Sequence, residues 1–480
     1  VLLTISADPP NSCRPHSRMT VPTAPSLWRH QSEAIDFVLD RPSTLLHMGM
    51  GTGKSRCAIE VAERMEVRRM LILCPLSVVD AWEKQFTQFA RRGWEVCLLN
   101  KGSVAKKQKL AYAAMERARA MGCPVVIVIN YESARLSPFN MLAEAGQFDL
   151  LIMDESHRLK SPRGKTAKWV AKLANKIPKR VALTGTPMPH SPLDCFQQTL
   201  CLGASHVFGR SFVQFRRRYS IMGGFQGKEV KGFQNIDDLR ARLSKITYQA
   251  DRTVLELPPA MFEKRMVELS PAARRAYKQM EETLRADIGS GEVTASNGLT
   301  RLLRLQQLTS GQVTIDADPP YQERVDDSKV KALADLMIDL PPDEPICVFG
   351  QFRGDMETVH LAAKKAGRES LELSGPRKEL NEWQAGQATV LAVQIQAGGV
   401  GVDLTRARVV AFLSTGFSLG DYLQALARNH RPGQDRTVLY YHFLAKDTVD
   451  LAVYHALRKR ENVIEGVLAD LNNSQKKETV

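Results

Sequence analysis

Hydrophobic residues along this chain gather into short unbroken runs that stop abruptly at polar ones: MLILCP (70–75), VVIVIN (125–130), LLIMDE (150–155) and RVALTG (180–185). A strand covered on one face alternates apolar and polar positions, whereas a continuous run of this length belongs to a strand covered on both. Helix-length stretches such as 78–90 and 106–121 separate the runs. The alternation predicts an α/β layer, a doubly wound parallel sheet, over 27–205. From 206 to 320 the period becomes helical in SFVQFRRRY, NIDDLRARLSKI, AARRAYKQMEETLRADI and LTRLLRLQQL, with glycine-rich breaks between them. That predicts a helical insertion. The strand pattern then returns in PICVFGQF (345–352), ESLELSG (369–375), ATVLAVQ (388–394), RVVAFLS (408–414) and VLYYHFL (438–444), predicting a second parallel sheet over 321–471. Residues 1–26, rich in Pro, Ser and Asn, are expected to be a disordered leader, with Met19 a candidate native start. The polar tail 472–480 is expected to fray.

Composition narrows the class. At 480 residues, with 44% hydrophobic and 25% charged residues, the chain has ample material for several cores. Its net charge of +14 favours an anionic partner, nucleic acid being the commonest, although a basic surface with no partner fits the same number. The eight cysteines are scattered with no CxxC pair, which speaks against a zinc or redox site and for reduced thiols in an intracellular protein. No apolar run approaches the roughly 18 residues a membrane span needs, so no membrane association is expected.

Candidate chemistry sits just after the apolar runs, where ligands of parallel sheets bind. Gly49, Gly51, Thr52, Gly53, Lys54 and Ser55 form a glycine-rich turn ahead of a helix. Such a turn aims backbone N–H groups at phosphates, with Lys54 on the terminal phosphates and the Ser55 hydroxyl on Mg2+. The strict pattern wants glycine where Met48 stands. Asp154 and Glu155 end a strand run: Asp154 suits Mg2+, and Glu155 suits orienting and deprotonating an attacking water. Adjacent carboxylates diverge in a continuing strand, so the chain is expected to turn there. Thr184-Gly185-Thr186 is a weak coupling signal on its own. In QALARNHRPGQ (424–434), Arg428 and Arg431 are spaced to share one helix face. Delivered across a cleft, they would neutralise charge on a phosphate being transferred. Two arginines alone fit a basic helix end better, and Gln424 four residues before Arg428 together with the glycine-rich turn 397–401 tips the balance towards a second nucleotide-facing wall.

Taken together these segments resemble the superfamily-two helicases, most closely the Swi/Snf family of ATP-dependent DNA translocases. The resemblance covers 27–454. LWRHQSEAIDF is similar to the family's adenine-reading segment and implies Gln31 on the base; LILCPLSVVDAWEKQF and VIVINYES are similar to its DNA-contacting elements. DESH stands in place of DEAH, and QALARNHRPGQ matches the arginine segment at Gln424, Arg428, His430, Arg431 and Gln434. The resemblance implies two RecA-like lobes, ATP and Mg2+ in the cleft between them, Gly401 and Asp403 on its second wall, and double-stranded DNA across both lobes. It departs from the pattern at Met48-Gly49, where an acidic pair is usual, at Ser156 for Ala and at Asp403 for Asn. No chromatin-reading module accompanies the motor, which suits a compact prokaryotic or phage type, cytoplasmic, or nuclear in a eukaryote, and a monomer when free. A strand-separating DNA or RNA helicase and a nucleotide-gated clamp with little turnover are the competing expectations. Arg216, Arg217 and Arg218, flanked by Phe212, Phe215 and Tyr219, fit phosphate contact and an ordinary amphipathic helix equally well.

Overall fold

The computed structural model describes residues 25–189, 191–224, 229–288, 291–295, 298–396 and 402–459. The expected tail, nearly all of the expected leader, His190 and Gly401 lie outside them. The first sheet takes β1 (Ser43–Met48), β2 (Arg69–Cys74), β3 (Glu95–Leu99), β4 (Val125–Asn130), β5 (Leu150–Asp154) and β6 (Lys179–Thr184). A hairpin of β7 (Ser220–Gly223) and β8 (Glu229–Phe233) follows, and then β9 (Thr247–Ala250) returns to that sheet. Its order is β3-β4-β2-β5-β6-β1-β9, parallel throughout.

The second sheet opens with β10 (Ala260–Val267). Two antiparallel hairpins come next, β11 (Arg285–Ile288) with β12 (Gly291–Thr294) and β13 (Gln312–Ile315) with β14 (Tyr321–Arg324). The sheet resumes with β15 (Ile346–Gly350), β16 (Ser370–Leu373), β17 (Val390–Gln394), β18 (Val409–Phe412) and β19 (Val438–Ala445). Its order is β10-β19-β18-β15-β17-β16, again parallel.

The unbroken apolar runs have a direct cause. Along β2, Leu71 and Leu73 enter the core on one face while Met70, Ile72 and Cys74 enter the core on the other. β15 does the same, with Cys347 and Phe349 on one side and Ile346 and Val348 on the other. Both faces are dry, so neither parity tolerates a polar residue.

Between the sheets lies the stretch read as a helical insertion, and its halves dock on different lobes. Phe215, Tyr219, Leu239 and Leu243 join the first lobe's core, whereas Ala276, Tyr277, Met280, Leu305 and Leu308 join the second's. The latter half is fastened by a buried ion pair. Lys329 Nζ donates to Asp450 Oδ2 at 2.8 Å, and Thr309 Oγ1 donates to Asp450 Oδ1 at 2.7 Å. The seven described cysteines are all free thiols. Among the described residues no helix is long and apolar enough to cross a membrane.

One core histidine makes stability depend on pH. His442 on β19 stacks on Phe412 with ring centroids 5.0 Å apart and shares a 3.0 Å hydrogen bond with the Tyr422 hydroxyl. Burial first, then the nearby charge of Arg458, depresses its pKa to about 3. A histidine neutral in the fold and titrating near 6.5 in the unfolded chain gives stability that is present above pH 6.5 and lost as pH falls towards the folded value. His442→Phe should therefore lose about 2 kcal/mol less than the wild type between pH 7 and pH 5 in chemical unfolding. Identical losses in the two proteins would show that His442 does not titrate in this way.

Candidate active site

β1 delivers the chain into Gly49–Gly53, and the helix Lys54–Arg64 starts immediately after it. Gly51 and Gly53 hold φ of 84° and 90°, a left-handed geometry costly to any residue with a Cβ. At Gly53 a Cβ would also strike the side-chain amide of Gln31. That amide donates to Thr52 O at 3.0 Å while its oxygen accepts from Trp28 N at 3.1 Å, and His30 Nε2 shares Thr52 O at 2.9 Å. The helix Arg29–Leu39 therefore clamps the loop from outside, and both ends of the Gln31 amide already have protein partners. Inside the loop, Lys54 Nζ donates to Met48 O at 2.9 Å and to Gly49 O at 3.1 Å. Burial lowers its pKa, opposed by the charges of Glu155 and Asp154. Ser55 stands in the first turn of the helix, where backbone amides have no intrahelical acceptor.

The acidic pair closes the opposite side. Asp154 is the last residue of β5, and Glu155 turns the chain with φ and ψ both at 50°. This is the expected turn. It costs on the order of 1 kcal/mol for a residue with a side chain and brings both carboxylates to one buried spot. Burial, then the neighbouring Glu155 charge, pushes Asp154 up to about 7. Burial would raise Glu155 as well, but His157, Lys54 and Arg428 outweigh it and hold it below the usual carboxylate range. His157 Nδ1 lies 3.3 Å from Glu155 Oε2 and 3.3 Å from Thr184 Oγ1. The Tyr131 hydroxyl fixes the strand end by donating to Asp154 O at 2.7 Å.

Ser156, the departure from the DEAH pattern, has a partner of its own. Its hydroxyl donates to Gln198 Oε1 at 3.0 Å, and Gln198 Nε2 donates to Pro187 O at 2.5 Å. The acidic segment is thereby tied at two points, through His157 to Thr184 at the end of β6 and through Ser156 and Gln198 to the loop that follows it.

That loop meets the second lobe. The helix Leu419–Asn429 is capped by Ser418 Oγ, which accepts from Asp421 N at 3.3 Å. A Cβ on Gly420 would lie 3.6 Å from Pro189 and 3.7 Å from Thr186 Oγ1, so the helix start presses on the loop. At the helix end Arg428 is 8% exposed. Burial brings its pKa down to about 10, with the Glu155 charge acting in the opposite direction. Arg431 donates to Val402 O at 3.3 Å and keeps a buried Nε without a partner among the described residues. Pro432 sits over the glycine turn, where a Cβ on Gly51 would come within 2.8 Å of its Cδ.

Lys54, Asp154, Glu155 and Arg428 are thus brought together. Asp403 is exposed, and its Oδ1 accepts from Thr405 N at 3.0 Å and from Thr405 Oγ1 at 2.8 Å, closing a turn of its own loop. Gln434 and Asn429 brace that loop instead of facing the cleft, donating to Thr405 O and Leu404 O at 2.9 Å each. Phe215 and Tyr219 are core residues, while Arg217 and Arg218 stay exposed, Arg218 paired with Asp238 at 3.0 Å. Sequence reading passed over His47 and Arg252. His47 is buried beneath the loop with its pKa lowered to about 4, by burial first and then the Lys54 charge. Arg252 lies in a polar connector with no periodic signal to mark it.

Comparison with known proteins bears on the family and the fold. Residues 30–312 match the SNF2-related domain, and residues 328–433 match the helicase conserved C-terminal domain. Protein p41 of Acyrthosiphon pisum secondary endosymbiont phage 1 is 25% identical over 92% of this chain and 97% of its own length. The SWI/SNF-related matrix-associated actin-dependent regulator of chromatin subfamily A-like protein 1 homolog of Caenorhabditis elegans is 26% identical over 91% of this chain, which spans 61% of that longer protein. In fold, the Pyrococcus furiosus Hef helicase domain superposes with a TM-score of 0.53 at 15% identity, covering 89% of this chain and 97% of that one. With the first of these domain matches alone spanning more than half its length, the chain belongs to the SNF2-related family of ATP-hydrolysing, helicase-like enzymes.

Proposed function

We propose that this enzyme is a DNA-stimulated motor that couples ATP hydrolysis between its lobes to translocation along duplex DNA. The observation carrying the reading is the approach of Arg428, from the second lobe, to the buried carboxylate of Glu155 in the first.

In this reading the amides of Gly51, Thr52, Gly53 and Ser55 receive the phosphates at a helix N-terminus. Lys54 exchanges its two carbonyl partners for the terminal phosphates, a stronger charge-assisted contact. Gly49 leaves the loop room to form, and Gln31 holds the loop while its remaining amide proton faces the base. Asp154 and the Ser55 hydroxyl fit Mg2+: both are hard oxygen donors, and a buried carboxylate pushed up to about 7 beside another calls for a cation. Among the described residues no cluster of three or more His, Cys, Asp or Glu side chains offers a self-sufficient metal cage, so waters and phosphates would complete the shell. Bound Mg2+ neutralises phosphate charge. Glu155, kept ionised at neutral pH, orients the attacking water and accepts its hydrogen bond. Arg428 and Arg431 supply positive charge from the far wall, and Asp403 belongs to the loop behind it; the role of Gly401 on that wall is carried by the family resemblance alone. Thr184 on His157 and Thr186 against Gly420 make the end of β6 and the loop after it the mechanical link between hydrolysis and lobe movement.

DNA as the track is supported by the net charge of +14 and by the two elements resembling DNA-contacting segments, 71–86 and 126–133. A prokaryotic or phage-infected cell as the setting is supported by the phage relative, and a cytoplasmic monomer in the free state is part of the same reading.

Glu155→Gln should bind ATP within about twofold of the wild type and lose roughly a hundredfold or more in turnover, since grip and water activation use different groups. Turnover at the wild-type rate would remove Glu155 from the chemistry. Steady-state ATPase with duplex DNA, single-stranded DNA and RNA in parallel should respond most to duplex. The apparent DNA affinity should fall with salt at a log–log slope of about −0.9 per phosphate contacted. Stimulation by RNA or single strands alone would transfer the assignment to a strand-separating helicase.

A further inference from the structure

The connector between the sheets starts at the phosphate loop. Gly49 N donates to Ala250 O at 2.8 Å, so the last residue of β9 is joined to the first residue of the loop. Asp251 then caps the short helical turn Arg252–Leu255 by accepting from Thr253 N at 2.7 Å. The Arg252 side chain lies along the glycine turn, where a Cβ on Gly49 would come within 2.5 Å of its Cγ and 3.1 Å of its backbone nitrogen. Gly49 has no left-handed backbone to explain it. Its glycine makes room for this arginine.

Among the described residues the Arg252 guanidinium lacks partners at two nitrogens, one more than Arg431, and contrasts with Arg180 and Arg368. Arg180 donates to Ser43 Oγ and to the carbonyls of Ala174 and Ile177, and Arg368 donates to the carbonyls of Glu344, Leu340 and Pro341. Arg252 has Nε and Nη2 closed off from solvent with no partner among the described residues. Asp251, the nearest acid in sequence, is committed to the Thr253 amide and hydroxyl. The charge of Arg252 is felt by Lys54 on one side and by His430 and Tyr440 of the second lobe on the other. A planar fork of N–H groups, shielded from water and close to the lysine that takes the terminal phosphates, matches an anionic phosphate tail in geometry and charge.

We propose that Arg252 is a ligand of the terminal phosphate of a nucleoside triphosphate, supplied by the hinge between the lobes. The proposal rests on the reading of the cleft as a triphosphate site and extends it. With the phosphate tail bound, the loop, the hinge and the second lobe share one anion, and the hinge is set differently by triphosphate and diphosphate.

The test is calorimetric binding of a non-hydrolysable ATP analogue and of ADP, each with Mg2+, to the full chain. Arg252→Gln should weaken the analogue roughly tenfold or more, the scale of a lost charge-assisted contact, and change ADP less than about twofold. Arg252→Lys should recover part of the loss. Gly49→Ala, which crowds Arg252 Cγ and keeps the charge, should reproduce the selective defect if Arg252→Gln fails to fold. Unchanged affinity for both nucleotides, or equal weakening of both, overturns the proposal. Lys54→Ala separates the two layers. If that variant still binds both nucleotides as the wild type does, the triphosphate site itself is wrong; if it loses them while Arg252→Gln does not, only the role of Arg252 falls.

Discussion

Four ionic groups from opposite halves of the chain occupy one space from which water is largely excluded: Lys54, Asp154 and Glu155 from the first lobe and Arg428 from the second. Burial works against every one of these charges; Lys54 favours the ionised form of both carboxylates, Glu155 favours the charged form of Lys54 and Arg428, and Glu155 opposes the charge on Asp154. Remove the arginine, and Glu155 loses one of the groups that hold it ionised; remove the carboxylates, and Lys54 and Arg428 lose the charges that chiefly oppose their burial. Water is what these groups lose when the lobes close, so a polyanionic phosphate with its divalent cation is the kind of ligand the proposed function places among them.

Mechanical consequences follow from what is attached to this cluster. Glu155 is fixed by an unusual backbone conformation, and its neighbours reach the end of β6 through His157 and the loop after β6 through Ser156 and Gln198. The same loop is the surface on which the start of the helix Leu419–Asn429 rests, while Arg428 stands near that helix's other end. One helix therefore touches the loop after β6 at its start and stands near the buried Glu155 carboxylate at its end. In the proposed mechanism a change of charge in the cleft would act on both contacts through that helix.

How much of this was visible in the amino-acid order depended on burial. Strands covered on both faces, such as β2, β4 and β15, cannot hide, because both parities must be apolar. β9 and β10 lie at sheet edges; β10 carries Glu263, Lys264 and Arg265 and is largely exposed, so no apolar run marks it. The phosphate loop, the acidic pair and the arginine segment were legible because their chemistry requires fixed residue types at fixed spacing. Ser156 read only as a departure from pattern until Gln198 was seen to receive its hydroxyl. Arg252 and His47 were invisible for a different reason: what sets them apart is who lies beside them in space, and Arg252 meets Gly49 from about 200 residues away.

The most direct test of the cross-lobe cluster is an experimental structure with Mg2+, ADP and a planar terminal-phosphate mimic bound. The arrangement described here requires the mimic to be flanked by Lys54 on one side and the Arg428 guanidinium on the other, each within hydrogen-bond distance, with Glu155 facing the apical water. Arg428 turned away from the mimic, with the second lobe contributing no cation to it, would contradict the account.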